Sequence, residues 1–407
     1  MRIATLMTIS FLNIVLLLFS LLIPPFPLHC LHAMDSHSEQ AKEFSSPVRV
    51  IDQTGRTIEL PHPSARTAVL FPQAMGGILV LGLATDTIVG IPNFMLKWTP
   101  EKCPDFIRKV APGLAGVADI GYPGKVNTET LLMLKPDLII GPVHLMKASD
   151  AIRALGFSVV SVKAGFGSIS DWHEAISIIA ALHGVEDRLE TYKSTCSRIV
   201  GLADKVGSIE KSRQVSAVFI TSFMGKMQAG GSRTSMAFDI LTRAGARCPA
   251  SDLSGAGQIS LESLYLWNPD HIFLGETSVP SECRNDPCRA IVSMIPGTDK
   301  LKAVISGNVH VVPQDDPECW FSSWFQPANH PLGILWAASL MYPEHLKSLD
   351  INAIAEKFFS DVYGYSTYDS SNSTSTDGSI GAEGSIGADG SISGNGMSKN
   401  EQETMKK

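Results

Sequence analysis

The chain has 407 residues, 44% of them hydrophobic and 18% charged, with a formal net charge of −7. That is enough apolar material for two packed domains. The acidic balance excludes the basic face that non-specific nucleic-acid binding needs, while leaving small anionic ligands open, since a pocket can differ from the mean.

Residues 1–33 read as an export signal. Arg2 precedes a run free of Asp, Glu, Lys and Arg that lasts until Asp35. As a helix, residues 3–26 would span about 36 Å against a hydrocarbon core of roughly 30 Å, so length alone also permits a retained anchor. Pro24, Pro25 and Pro27 argue for a break, and Leu31-His32-Ala33 offers a cleavage site. Lipidation at Cys30 is the alternative, although Pro27-Leu28-His29 lacks the small residues expected before a lipidated cysteine. No later segment is apolar enough to span a membrane. The body is therefore expected outside the cytoplasm, in a periplasm or at the extracytoplasmic surface of the membrane.

Residues 34–46 are polar and read as a flexible linker. An N-terminal α/β lobe is expected over 47–169. It opens with the hairpin VRVIDQTGRTIEL, turning at Thr54-Gly55. A buried strand TAVLF, a short helix QAMGGILVLGL and a strand TIVGIP follow. Then come NTETLLMLKPDLIIG, a helix over 148–155 and the strand FSVVSV. Strands alternating with helices imply a mainly parallel sheet covered on both faces. Residues 170–211 break that alternation with two helices. SDWHEAISIIAAL is capped by Ser170 or Asp171 and stopped at Gly184, and a longer helix follows with Leu189, Tyr192, Cys196, Ile199 and Leu202 on one stripe. A C-terminal lobe over 212–348 resumes with the strand QVSAVFI, the helix TSMAFDILTRAGA, ISLESLYLWNPDHIF and the strand NVHVVP. A closing helix lies in 349–367, and the Ser/Gly-rich tail 368–407 lacks the apolar content for a core.

One element is written twice. Glu129, Leu131, Pro136, Asp137 and Ile139 match Glu262, Leu264, Pro269, Asp270 and Ile272 at a single offset. In each copy Asn127 or Ser260 can cap a short helix, Glu129 or Glu262 falls in its first turn, and Pro136 or Pro269 ends it. Asp137 and Asp270 read as structural markers of the helix-to-strand turn.

Past the signal the cysteines are Cys103, Cys196, Cys248, Cys283, Cys288 and Cys319. An even number in an exported chain permits disulfides, with Cys283 and Cys288 in ECRNDPC the expected local pair; buried thiols are the alternative. No CxxC pair points to zinc. His173-Glu174 lacks the second histidine of HExxH, and no GxSxG, P-loop or GxGxxG follows a strand, so no catalytic motif is present.

The doubled E-x-L-x(4)-P-D element, GKMQAGGSRTSMAFDILTRAGA and WAASLMYPEHLKSLDINAIAEKFFSDVYGYS together resemble a known family. It is the extracytoplasmic solute-binding proteins of iron-siderophore and cobalamin ABC importers, in a branch that includes molybdate and tungstate binders. The resemblance covers about residues 47–365. It implies an α/β fold of two Rossmann-like lobes joined by a long rigid backbone helix, with a ligand cleft between them. It implies no catalysis and no permanently bound cofactor. The cargo would be a metal chelate, a ferric siderophore before cobalamin, heme or molybdate/tungstate. The partners would be that small-molecule ligand and a dimeric permease, the chain itself being a monomer. A surface receptor or structural lipoprotein that has lost transport is the reading of another class.

The family's permease-docking glutamates correspond here to Glu129 and Glu262. Taken singly, each would only favour its helix dipole by about 0.3–1 kcal/mol. Tyr122 matches an aromatic ligand contact ahead of the docking helix. Trp324 matches a cleft aromatic, although the branch often has Trp-Asp where this chain has Trp324-Phe325. Ligands of open α/β sheets sit beyond the C-terminal strand ends. That rule adds Gln73, Met75, residues 93–98 and His144 in the first lobe, and residues 224–228, Arg233, Trp320, Gln326 and His330 in the second. Arg233 suits an anionic ligand, and His144 and His330 a metal or metallophore; core packing is the plain alternative for the methionines and tryptophans.

Overall fold

The computed structural model describes residues 46–366, apart from 85, 101, 102, 104, 123, 166, 208–212, 224, 225, 231–234, 254, 255, 317 and 318. The signal at 1–33, Cys30, all of the linker but Ser46, the tail and Arg233 thus lie outside the described residues.

The chain opens with an antiparallel hairpin, β1 (Val48–Ile51) and β2 (Thr57–Leu60), Val48 facing Leu60. The first lobe is a five-stranded sheet. In chain order it uses β3 (Thr67–Val69), β4 (Ile88–Ile91) and β5 (Ala118–Asp119). A small hairpin of β6 (Gly121–Tyr122) and β7 (Lys125–Val126) intervenes before β8 (Leu138–Pro142) and β9 (Val159–Val162). The sheet order is β5-β4-β3-β8-β9, and every pairing is parallel. The order reverses between β3 and β8, so their C-terminal ends open the crevice where such sheets hold ligands.

The second lobe repeats the plan with β10 (Ala217–Phe223), β11 (Lys226–Gly230), β12 (Ala256–Gln258), β13 (His271–Leu274) and β14 (Val309–Val311), ordered β12-β11-β10-β13-β14. Here β11 runs antiparallel to β10 and to β12. The sequence reading placed a helix directly after QVSAVFI and missed this return strand. KMQAG has one charged end and little β-branching, which leaves no alternation to read.

The doubled element has the same job in each sheet. Asn127 and Ser260 accept the backbone N–H of Thr130 and Ser263 as N-caps of the helices Thr128–Leu134 and Leu261–Trp267. Those helices end at Lys135 (φ 49°) and Asn268 (φ 35°), the two non-glycine residues at positive φ among the described residues. The prolines that follow forbid another helical turn, so the chain reverses through the left-handed region. Asp137 then accepts the N–H groups of Ala65 and Arg66 just ahead of β3, and Asp270 accepts Ser216 N (2.7 Å) just ahead of β10. Each aspartate ties the fourth strand of its sheet to the first.

Between the lobes run the helices Ile169–His183 and Glu186–Gly207. The first is capped by Ser168, not Ser170 or Asp171: Ser168 Oγ accepts Asp171 N and the Asp171 carboxylate accepts Ser168 N, a reciprocal box. The long helix buries Leu189, Tyr192, Cys196 and Ile199 as its stripe predicts, while Leu202, the last residue of that stripe, is half-buried. Tyr192 accepts Trp172 Nε1–H (3.2 Å) and donates to the Ala328 carbonyl (2.8 Å), which couples both linking helices to the cleft segment. The helix Pro72–Val80 packs against them through Gly77, where a Cβ would stand 3.1 Å from Ile176. Ile169 N donates to Asp239 of the second lobe at 2.8 Å. The closing helix Ile351–Tyr363 returns to the first lobe, where Phe359, Tyr363 and Tyr365 surround Phe106.

Candidate ligand-binding site

Between the two sheets lies a cavity of about 320 Å³. That is at the lower end of the roughly 300–1,000 Å³ usual for small-molecule sites. Each wall is a strand end. Gln73 follows β3 and Gly165 follows β9. Opposite them, Phe219 and Thr221 lie on β10, Glu276 follows β13, and Trp320, Phe325 and Gln326 come from the segment between β14 and the helix His330–Met341. Gly165 sits at φ +82°, and a Cβ there would fall 2.4 Å from Gln73 Cγ. The left-handed glycine is what lets the glutamine reach the wall.

Gln73 brings a buried carbonyl oxygen, Oε1, with no hydrogen-bond partner. A buried acceptor left unpaired costs about 1–3 kcal/mol, and a ligand's donor or cation would recover it. Glu276 is 7% exposed, and burial pushes its carboxyl up to about 6 against the weaker pull of its own backbone N–H, Ser323 and Arg284. The aromatic side is built in depth: Phe325 packs tilted against Phe219 at 5.2 Å and meets Trp336 edge-on at 6.1 Å. No Lys or Arg is among the described lining residues.

A second cavity, about 370 Å³, lies on the hinge side against the long helix, lined by His173, Cys196, Arg243 and His330. It is larger, but helices alone frame it. We take the cleft as the site because the strand ends of both lobes converge there.

The chain matches the family model described as "Periplasmic binding protein" over residues 69–315, well over half its length. The chain belongs to the periplasmic binding protein family. Proteins of this family that serve ABC importers are substrate-binding components, and this chain is one of them. The molybdate-binding protein MolA of Haemophilus influenzae is 23% identical over 342 residues, 77% of this chain and 90% of MolA. The MolA structure with molybdate superposes with a TM-score of 0.63 at 21% identity, covering 79% of this chain and 99% of that one. A Helicobacter pylori CeuE structure with nickel and histidine gives 0.61 at 22% identity, covering 79% and 97%. These likenesses show the two-lobed fold.

Of the residues expected at the site of this periplasmic binding protein, Gln73, Trp320 and Gln326 line the cleft. Met75 is 1% exposed and belongs to the core. Trp324 is 4% exposed; its Nε1–H donates to Asp315 at 2.8 Å and its ring meets Trp336, so it packs behind the wall that Phe325 faces. His330 is buried on the hinge side, its Nδ1–H donating to the Pro327 carbonyl, and burial drives the ring down to about 3, so it is neutral. His144 is exposed in the turn after β8, outside the cavity lining. Tyr122 sits on the β6–β7 hairpin, half exposed and packed on Phe94 at 5.3 Å.

Sequence reasoning missed Glu276, Phe219 and Thr221; it placed Phe325 in the cleft segment but favoured Trp324 beside it. The strand-end rule that selected His144 after β8 applies equally to Glu276 after β13. The expected Cys283–Cys288 pair stands as free thiols, with Cys288 Sγ 3.7 Å from the Val304 carbonyl.

Proposed function

We propose that this protein captures an uncharged or cationic metal chelate outside the cytoplasm and delivers it to a dimeric ABC permease. A ferric siderophore whose three singly charged bidentate groups neutralise Fe(III) has this chemistry. The observation that carries the reading is the cleft wall. Glu276, whose carboxyl is buried, and Gln73, whose Oε1 is unpaired, both line a 320 Å³ space whose described lining has no cation. A dianionic oxyanion there would meet a carboxylate and an acceptor with no compensating charge among the described lining residues. Aromatic faces at Trp320, Phe219 and Phe325 suit the organic shell of a chelate. Similarity to MolA supports molybdate as the second reading.

Delivery would use the doubled helices. Glu129 and Glu262 are exposed in equivalent first turns, and Ser260 holds Glu262 below the usual carboxylate range. Beside them, at the same offset, stand exposed apolar pairs: Leu132 and Met133 in one copy, Tyr265 and Leu266 in the other. A surface written twice suits a partner with two equivalent faces, with charge pairing setting orientation and on-rate.

The test is calorimetric titration of the mature protein with a neutral ferric hydroxamate, an anionic ferric catecholate, nickel–histidine, cobalamin, heme, molybdate and tungstate. One-to-one saturation by a neutral or cationic chelate is the expected result. Saturation by molybdate alone would overturn the charge argument and leave the second reading.

A further inference from the structure

We infer that Cys103 and Cys319 form a disulfide that fastens the cleft wall of the second lobe to the first lobe. Both cysteines stand as free thiols, as all the described cysteines do, but they are 0% exposed and their sulfurs lie with an Asp316 carboxylate oxygen in one cluster whose atoms are all within 4.8 Å of one another. Cys103 belongs to the first lobe, between the 3-10 turn Asn93–Trp98 and the helix Phe106–Val110. Cys319 immediately precedes Trp320, the start of the segment that supplies Phe325 and Gln326 to the cleft. The backbone already holds the two sides in register: Asp316 Oδ2 accepts Phe106 N–H at 3.2 Å, and Cys319 N donates to the Asp316 carbonyl at 2.9 Å. Two of the other four described thiols are placed otherwise. Cys196 lines the hinge cavity, and Cys288 faces the Val304 carbonyl.

The chemistry is thiol–disulfide exchange with a donor disulfide of the export compartment, and the inference rests on the export part of the proposed function. One cysteine, as thiolate, attacks the donor's S–S bond, giving a mixed disulfide and one donor thiol. The second cysteine attacks the mixed disulfide, the Cys103–Cys319 bond forms and the second donor thiol leaves. Two electrons pass to the donor, and the two protons lost by the cysteines end on its thiols. In the folded thiol form, burial and the neighbouring Cys103 push the Cys319 thiol well up, so little thiolate exists. Oxidation therefore belongs to the chain before this core closes. The finished bond would be shielded from reductant, and it would limit how far the wall carrying Trp320 and Gln326 can swing from Gln73.

The test uses the full chain in two preparations: isolated from the export compartment, and refolded from reduced, unfolded chain with oxidised glutathione. Each is denatured, alkylated without reductant and mapped by mass. The expected result is one linked peptide pair, Cys103 with Cys319, lighter by two hydrogens than its thiols. Cys103→Ser, Cys319→Ser and the double variant should then lower the unfolding midpoint by the same several degrees, and that difference should vanish when wild type is unfolded in reductant. Both cysteines alkylated in both preparations would overturn the inference. So would a link to another cysteine, or zinc that shields these thiols until a chelator removes it. Exported protein with free thiols refutes this inference alone; a linked refolded protein that remains in the cytoplasm refutes the export reading instead.

Discussion

Glu276→Gln separates the charge of the cleft wall from its shape. The wild-type carboxyl is raised from an ordinary 4.5 to about 6 by burial. Each unit is worth about 1.4 kcal/mol, so holding this group ionised costs about 2 kcal/mol of folding stability. The folded state binds the proton more tightly than the unfolded chain. Stability from this group is therefore present below about pH 4.5 and is lost as pH rises to about 6. Gln keeps the shape and an acceptor for the backbone N–H but cannot ionise. The variant should be about 1–2 kcal/mol more stable than wild type at pH 7.5, and the advantage should disappear by pH 4.5. Urea unfolding at both pH values, followed by tryptophan fluorescence, measures the difference of differences. A gap independent of pH, or a variant less stable at pH 7.5, would refute the assignment of a buried, strained acid. The same variant should bind a cationic chelate more weakly, which would explain why the strained acid is kept in a binding wall.

Glu129→Ala with Glu262→Ala should leave cargo affinity unchanged in calorimetry while lowering uptake in cells at least tenfold, the single variants falling between. Lys135→Asn should raise stability by about 0.5–1 kcal/mol in denaturant, because asparagine tolerates the left-handed φ of 49° better than lysine does. Trp324→Phe should cost roughly 1–3 kcal/mol, since it strands Asp315 in a buried site, yet shift cargo affinity less than twofold; Phe325→Ala should lose tenfold or more in affinity. Burial depresses His330 to about 3 and His310 to about 4, so neutral rings stabilise the fold above about pH 6.5. That stability is lost as pH falls from there toward about 4 for His310 and about 3 for His330, and a thermal midpoint measured across this range should fall accordingly.

Wherever a local rule was decisive, the sequence sufficed. Prolines at 136 and 269 after a capped turn with an apolar run beyond them specify a short helix, a reversal and a central strand, and both copies fold that way. The 3.6-residue stripe through Leu189, Tyr192, Cys196 and Ile199 specifies one long helix with a buried face. Two α/β lobes and a connecting helix follow from order and period alone.

The cleft wall was legible only in outline. The strand-end rule picks segments, and in SSWFQPANH it could not say which side chain turns inward. Tertiary packing decided that: Trp324 finds Asp315 and the Trp336 edge behind the wall, so Phe325 faces the cavity. The return strand Lys226–Gly230 was decided by pairing with its neighbours rather than by its own composition. His330 went to the hinge side because the helix it starts packs against the long connecting helix. The local sequence determined the elements and their order, since caps, prolines and periodicity act within a few residues. The facing of side chains across the cleft, the raised pKa of Glu276 and the meeting of Cys103 with Cys319 depend on contacts between residues distant in sequence, and only the folded chain determines those.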